Sequence, residues 1–100
     1  MTVTKVIRYK TKPEHAEENE RLIRNVFAEL SNEGPEGLRY AAFRLDDGVS
    51  FLHVAVVEGE NPLLSSDAFG AFQAGISDRC EEGPSPANAT IVGSYRIFPD

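Results

Sequence analysis

Four stretches of the chain are rich in apolar and β-branched residues in a strand-like pattern, some of them apolar on both faces, and in two further stretches apolar residues recur at helical spacing. The strand pattern covers residues 3–10, 38–45, 49–57 and 89–98, and the helical pattern follows Pro13 and returns over residues 65–76. Alternation with a period of two favours a strand, whereas spacings of three and four residues favour an amphipathic helix. The pattern therefore predicts the order β-α-β-β-α-β, with residues 82–87 as a loop before the last strand.

The first helix has the clearest pattern, because its apolar stripe, its start and its end are all marked. Glutamates crowd its amino end, where the helix dipole favours negative charge, and Gly34 followed by Pro35 is a typical end. The stripe consists of Ala16, Asn19, Ile23, Val26, Phe27 and Leu30. Asn19 is polar, so we expect its amide either at the edge of the stripe or in the cleft between helix and sheet.

Residues 46–48, with the sequence Asp-Asp-Gly, predict a hairpin turn between the second and third strands. The length of this turn decides which residues share a sheet face with His53. A two-residue turn groups His53 with Tyr40, Ala42 and Arg44, and a three-residue turn groups it with Arg39, Ala41 and Phe43. The sequence leaves both registers open.

The third strand is almost entirely apolar on both faces over residues 51–57. Two right-handed crossovers place both helices on one face of a four-stranded antiparallel sheet, which is the ferredoxin-like α+β sandwich. The other face is then bare and apolar, which soluble monomers rarely tolerate. Twofold contact between two such faces covers both, so we expect a homodimer that packs sheet to sheet.

The composition of the chain indicates which classes of partner and which cellular location to expect. The 100 residues suit a single domain over residues 1–100, and 16 acidic against 10 basic side chains give a net charge of −6. This charge repels nucleic acid and anionic lipid, and no apolar run approaches the ~20 residues that cross a bilayer. The lone cysteine, Cys80, has no internal disulfide partner. We therefore expect a cytoplasmic protein with no nucleic-acid or membrane partner.

Four segments of the chain resemble one superfamily. They are the strand VIRYKTKP leading into an acidic helix, the turn DDG, the strand FLHVAVVE and the segment SSDAFGAFQAGI. Across roughly the whole chain they resemble the dimeric α/β-barrel superfamily, in particular its antibiotic-biosynthesis-monooxygenase-like domains. The resemblance implies a ferredoxin-like dimer with a pocket between sheet and helices. Its implied activities include cofactor-free oxidation of quinols and polyketide aromatics, haem degradation, isomerisation and dehydration.

Metal and cofactor signatures are missing from the sequence. His15 and His53 show no ligand spacing, and no glycine-rich phosphate loop or G-x-S-x-G motif occurs. Haem-degrading members of the superfamily use a tryptophan and a histidine on the second helix, and this chain has neither. We therefore expect no metal and no bound cofactor.

His53 is the candidate catalytic residue, because it lies within an apolar strand where an imidazole needs a hydrogen-bond partner. One interpretation is a structural histidine satisfied by the backbone or by a dimer partner. The other is a pocket residue, either a general base or a hydrogen-bond anchor for a phenol-like ligand. The ordinary pKa of histidine, near ~6.5, suits proton transfer at neutral pH.

The candidate substrate-binding residues are Asn19, Tyr40, Arg44, Phe69 and Phe72. An amide in the cleft could hold a substrate oxygen, and the two phenylalanines would line the same cleft unless they serve only the core. Tyr40 and Arg44 join His53 in one of the two hairpin registers. Pairing with the surplus of acidic residues is the ordinary role for such an arginine, and neutralising an anionic substrate is the alternative.

The resemblance, together with these residues, implies a cofactor-independent monooxygenase-like enzyme that acts on a small apolar or aromatic substrate of the quinol or polyketide type. In this hypothesis the pocket excludes water, His53 removes a proton, and the resulting anion reacts directly with oxygen. Two alternatives stay open. One is a non-catalytic small-molecule-binding or stress-related module of the same fold, and the other is an isomerase or dehydratase that acts on a small molecule.

Overall fold

The computed structural model describes residues 2–97, whose backbone forms a four-stranded antiparallel sheet with helices on one face. The strands are β1 (Thr2–Thr11), β2 (Leu38–Arg44), β3 (Ser50–Glu58) and β4 (Cys80–Ala89), and the helices are α1 (Ala16–Glu33), α2 (Asp67–Gln73) and α3 (Ile76–Arg79). The strand order is β2-β3-β1-β4. Each helical connection thus passes over one intervening strand, as in two split βαβ units. The predicted ferredoxin-like α+β sandwich is confirmed.

Helix α1 begins and ends where its sequence signals predict. Pro13 opens a 3-10 turn, Pro13–His15, that leads into the helix, and proline suits this place because no intrahelical donor is needed there. Gly34 ends the helix at a φ of 56°, and its N–H donates to the carbonyl oxygen of Leu30 at 2.7 Å. The inner face of α1 packs Ile23 and Val26 into the main buried cluster of the protein.

The hairpin between β2 and β3 is held by the side chain of Asp47. Its carboxylate accepts hydrogen bonds from the N–H groups of Val49 and Ser50, at 3.0 and 2.8 Å, and from the hydroxyl of Ser50. Gly48 adopts a φ of 77°, which glycine tolerates without strain. In the resulting register Ala42 lies opposite His53. His53 therefore shares its face with Tyr40, Ala42 and Arg44, the first of the two groupings that the sequence leaves open.

The prediction for the last strand is wrong. Residues 82–87, expected as a loop, belong to β4 (Cys80–Ala89), whereas residues 90–97 form no strand and Phe98 lies outside the described residues. Pro84 and Pro86 suggested a loop because proline donates no ladder hydrogen bond. β4 is an edge strand that pairs only with β1, and an edge tolerates proline on the side that forms no ladder.

The second helix is shorter than predicted and is broken. The expected helix over residues 65–76 is a 3-10 turn, Pro62–Ser65, followed by α2 and then, after a break, by α3. The break lies at Ala74 and Gly75, where Gly75 has a φ of 76° that stops helical propagation. Ser66 caps α2 by accepting a hydrogen bond from Phe69 N–H at 3.0 Å. Cys80 does not continue the helix and instead begins β4.

The sheet face opposite the helices carries a row of apolar side chains. Val6, Val54 and Ala41 lie side by side across three strands, and Leu52 lies beside Phe43. Phe43 is 50% exposed although it is a large hydrophobic residue. Among residues 2–97, no helix is long and apolar enough to span a membrane.

Two glycines, one that the backbone requires and one that it does not, allow a test of the backbone conformation. Gly37 has a φ of 79°, and a Cβ there would lie 2.7 Å from the carbonyl oxygen of Glu58, whereas a Cβ on Gly70 of α2 would meet nothing within 4 Å. We expect Gly37→Ala to destabilise the fold by about 3 kcal/mol, because strain and a backbone clash add. Gly70→Ala should stabilise it by up to about 1 kcal/mol through helix propensity. Urea unfolding of both variants measures the difference, and equal effects would contradict this backbone.

Candidate functional site

A cavity of about 640 Å³ lies between the sheet and helix α2. Its walls are mainly apolar and include Ile7, Ala55, Leu63, Phe69, Phe72 and Ile76. Four polar side chains from the sheet also line it: Lys5 and Tyr9 from β1, Tyr40 from β2 and His53 from β3. A largely apolar cavity with a few convergent polar groups has the composition of a small-molecule binding site.

His53 is the centre of the polar group. Its side chain is 3% exposed, and both ring nitrogens have partners. Nε2 lies 2.8 Å from the hydroxyl oxygen of Tyr9, and Nδ1 lies 2.5 Å from that of Tyr40. Burial disfavours the charged form and lowers the pKa of His53 to about 4. The imidazole is therefore neutral at pH 7, with one ring nitrogen donating and the other accepting.

Aromatic stacking holds the two tyrosines in place beside His53. The ring of Tyr9 stacks on Phe51 at a centroid distance of 5.4 Å, and the ring of Tyr40 stacks on Phe27 of α1 at 5.0 Å. Burial raises the pKa of both phenols well above their usual value, so both stay protonated at neutral pH. The site thus presents neutral hydroxyl and imidazole groups.

The polar group continues into the core, away from the cavity. The amide nitrogen of Asn19 donates to the hydroxyl oxygen of Tyr9 at 2.9 Å, and Nε of Arg79 donates to the amide oxygen of Asn19 at 3.2 Å. Arg79 is only 5% exposed and also donates to the carbonyl oxygens of Phe72 and Ala74. Among residues 2–97 it forms no ion pair. Five side chains from five elements of the fold (β1, α1, β2, β3 and α3) thus form one hydrogen-bonded series.

The structure brings most of the predicted site residues together. Tyr40, His53, Phe69 and Phe72 line the cavity, and Asn19 lies behind the cavity wall and bonds to Tyr9. Arg44 does not line this cavity. Its Nη1 bonds to the carboxylates of Glu17 and Glu20 at 3.1 and 3.0 Å, beside a separate cleft of about 520 Å³ between α1 and β2. Arg44 thus forms ion pairs with acidic residues, which is the ordinary role of such an arginine.

Two members of the series, Tyr9 and Arg79, were not singled out by sequence reasoning. Tyr9 and Ile7 are two residues apart in β1, so the sequence places them on the same face of the sheet. It does not show that the hydroxyl of Tyr9 bonds to His53. Arg79 lies just before the cysteine that begins β4, where a charged residue ordinarily faces solvent. The break at Gly75 turns its side chain inward, and no local pattern signals this.

The buried neutral imidazole predicts a pH dependence of stability. Unfolded, His53 regains its ordinary pKa near 6.5, so between about pH 4 and 6.5 the unfolded state binds more protons than the folded state. Stability is therefore complete above pH 6.5 and falls as the pH falls, by about 2 kcal/mol between pH 7 and pH 5. Urea unfolding at the two pH values measures this loss. His53→Gln should abolish most of it and His15→Gln should retain it, whereas equal losses in both variants would contradict the burial of His53.

Comparison with known proteins supports the fold. No protein-family model matches the chain, and no curated protein sequence matches it significantly. Solved structures do match. A protein of Bacteroides thetaiotaomicron, proposed to be an antibiotic biosynthesis monooxygenase, aligns at a TM-score of 0.76 with 16% identity over 91% of this chain and 90% of its own. Rv0793 of Mycobacterium tuberculosis aligns at 0.73 with 13% identity over 94% and 98%.

A third match is SnoaB of Streptomyces nogalater, described as a cofactor-independent oxygenase. It aligns at a TM-score of 0.66 with 17% identity, over 95% of this chain and 97% of its own. Identities this low reflect a shared fold and carry no activity from one protein to another. This chain therefore shares the ferredoxin-like fold of these solved structures, one of which is proposed to be an antibiotic biosynthesis monooxygenase.

Proposed function

We propose that this protein is a cofactor-independent monooxygenase-like enzyme that acts on a small apolar or aromatic substrate of the quinol or polyketide type. The cavity of about 640 Å³ supports this, because its aromatic walls suit a ring system. The similarity in fold to SnoaB, a cofactor-independent oxygenase, also supports it. The observation that carries the proposal is the neutral imidazole of His53, held between two phenol hydroxyls on the wall of a largely apolar cavity.

Such a reaction needs only the substrate and molecular oxygen. In an anthrone-type substrate, a ring CH₂ loses two C–H bonds and gains a C=O bond. One atom of O₂ enters the product and the other leaves as water, so the carbon supplies the four electrons that reduce O₂. The substrate loses a proton to solvent water and reacts as its anion, and a proton is taken up again when water forms as the second product. The protein accelerates the reaction by favouring that anion in a largely apolar cavity.

His53 has two possible roles in stabilising this anion. As a general base, it takes a substrate proton through the hydroxyl of Tyr40, since both of its ring nitrogens already have tyrosine partners. As an anchor, it holds the Tyr40 hydroxyl in position to donate to a substrate oxygen. We propose the anchor role, because a nitrogen with a pKa of about 4 is a weak base for a phenol.

Oxygen uptake tests the proposal. With a panel of hydroquinones and anthrones, we expect substrate-dependent O₂ consumption by the native protein, measured with an oxygen electrode. Tyr40→Phe should lower kcat about 100-fold, because it removes one donor from the developing anion. His53→Ala should lower kcat by a similar factor, because Tyr40 loses its anchor.

His15→Ala is the matched control, since His15 lies just before α1, away from the cavity, and its ring bonds within residues 2–97 only to Glu18. Its rate should equal that of the native protein. An unchanged rate in His53→Ala would remove His53 from the reaction. Tight binding of the panel without any oxygen uptake would favour the non-catalytic binding module instead.

We also propose that the protein is a homodimer that packs through the open face of the sheet. Val6, Leu52, Val54 and Phe43 form a continuous apolar patch on this face, and none of them is fully buried. A second copy offers the same patch, so twofold packing matches apolar surface with apolar surface.

A charge in the centre of the patch tests the dimer. Val54→Glu should shift the protein from dimer to monomer in sedimentation at micromolar concentration, because pairing would bury two carboxylates side by side. Glu58→Gln, at the exposed end of the same strand, is the control and should leave the dimer intact. A native protein that sediments as a monomer would contradict the proposal.

A further inference from the structure

We propose that Tyr40 donates its hydroxyl hydrogen to an oxygen of the ligand, as the last step of a one-directional series of hydrogen bonds that begins at Arg79. This inference rests on the proposed function, because it takes the cavity as the binding site. It specifies the ligand class as compounds with an acceptor oxygen at this position, such as a ketone, a quinone or a phenolate. Asn19 and Arg79, neither of which reaches the cavity, are positioning residues.

The direction is set first at Asn19. A guanidinium can only donate hydrogen bonds, so the atom of Asn19 that faces Nε of Arg79 is the amide oxygen. The amide nitrogen must then face Tyr9, and it donates to the hydroxyl oxygen at 2.9 Å. Asn19 is 0% exposed, so water offers no alternative partner that would allow the amide to turn over.

The direction passes next through Tyr9. Its oxygen accepts from Asn19, so its own hydrogen requires an acceptor elsewhere. Among residues 2–97, the only other hydrogen-bond partner of this hydroxyl is Nε2 of His53, at 2.8 Å. If Nε2 carried a proton, the hydrogen of Tyr9 would be buried without an acceptor, at the full desolvation penalty of that group. Nε2 therefore accepts.

The tautomer of His53 follows from this. A neutral imidazole has one protonated and one bare nitrogen, so a bare Nε2 places the proton on Nδ1. Nδ1 then donates to the hydroxyl oxygen of Tyr40, at 2.5 Å. In this state Nδ1 cannot accept a proton through Tyr40, which disfavours the general-base role of His53 and favours the anchor role.

Tyr40 is the end of the series and lies at the cavity. Its oxygen accepts from His53, and its hydrogen has no acceptor among residues 2–97. The side chain lines the cavity, so a ligand oxygen there can accept this hydrogen. Each hydrogen bond in such a series polarises the next, and the first donor is a buried cation. The arrangement therefore favours negative charge on the ligand oxygen.

Nitrogen NMR of the imidazole tests the direction without any ligand. In the full-length protein at pH 7, with ¹⁵N-labelled histidine and His53 assigned by comparison with His15→Gln, we expect a protonated Nδ1 and a bare Nε2. Asn19→Asp is nearly isosteric, but its carboxylate accepts from both Arg79 and Tyr9 and so should move the proton to Nε2. Arg79→Lys retains a donor toward Asn19 and should preserve the native tautomer. A bare Nδ1 in the native protein, or a tautomer unchanged by Asn19→Asp, overturns the proposal.

4-Nitrophenol tests the ligand class, because its phenol and phenolate forms have different absorption spectra. We expect the native protein to bind the phenolate at least about tenfold more tightly than the phenol, and Tyr40→Phe to lose this preference. Equal binding of both forms, preference for the phenol, or no binding overturns the ligand class. Neither measurement depends on oxygen or turnover. If the protein prefers the phenolate but consumes no oxygen, the proposed oxygenase activity is rejected and the present inference is still supported.

Discussion

The interior of this small fold depends on the hydrogen bonding of one buried imidazole. A histidine at the centre of an apolar strand is unfavourable in the core unless each nitrogen has a partner, and both nitrogens of His53 are matched by tyrosine hydroxyls from the two strands adjacent to β3. The tyrosines benefit as well, because without His53 their buried hydroxyl groups would each lose a hydrogen-bond partner. Among residues 2–97, no buried side-chain nitrogen or oxygen lacks a hydrogen bond.

The same series joins parts of the chain that are far apart in sequence. Asn19 comes from α1, Tyr9 from β1, Tyr40 and His53 from the hairpin, and Arg79 from α3. Arg79 also bonds to two carbonyl oxygens around the end of α2, the helix that forms one wall of the cavity. The same hydrogen bonds therefore hold the helices against the sheet and orient the polar groups at the cavity.

Much of the fold was predictable because the signals are local. The stripe and ends of α1 and the Asp-Asp-Gly turn each depend on neighbouring residues, and the structure confirms them. The two crossovers follow from the order of the elements, and the strand order agrees with them. The position of β4 was not predictable in this way. Its prolines indicate a loop by local preference, and only the pairing with β1 on one side makes them compatible with a strand.

The sequence predicts most of the residues of the candidate site, but only part of their arrangement in space. His53, Tyr40, Phe69 and Phe72 follow from apolar context and spacing, and they line one cavity. The choice between two hairpin registers needed the side-chain bonds of Asp47 to both Val49 and Ser50. The inward turn of Arg79 needed the positive φ of Gly75, which is a property of the folded backbone.

The prolines of β4 have one more effect, on how the molecules behave when crowded together. Pro84 and Pro86 are two residues apart, so both lack a donor on the same side of the strand. The rim of the sheet thus offers an incomplete template to a strand from another chain, which guards against fibril-like growth edge to edge. This rim is therefore a poor site for open-ended stacking of one molecule on the next.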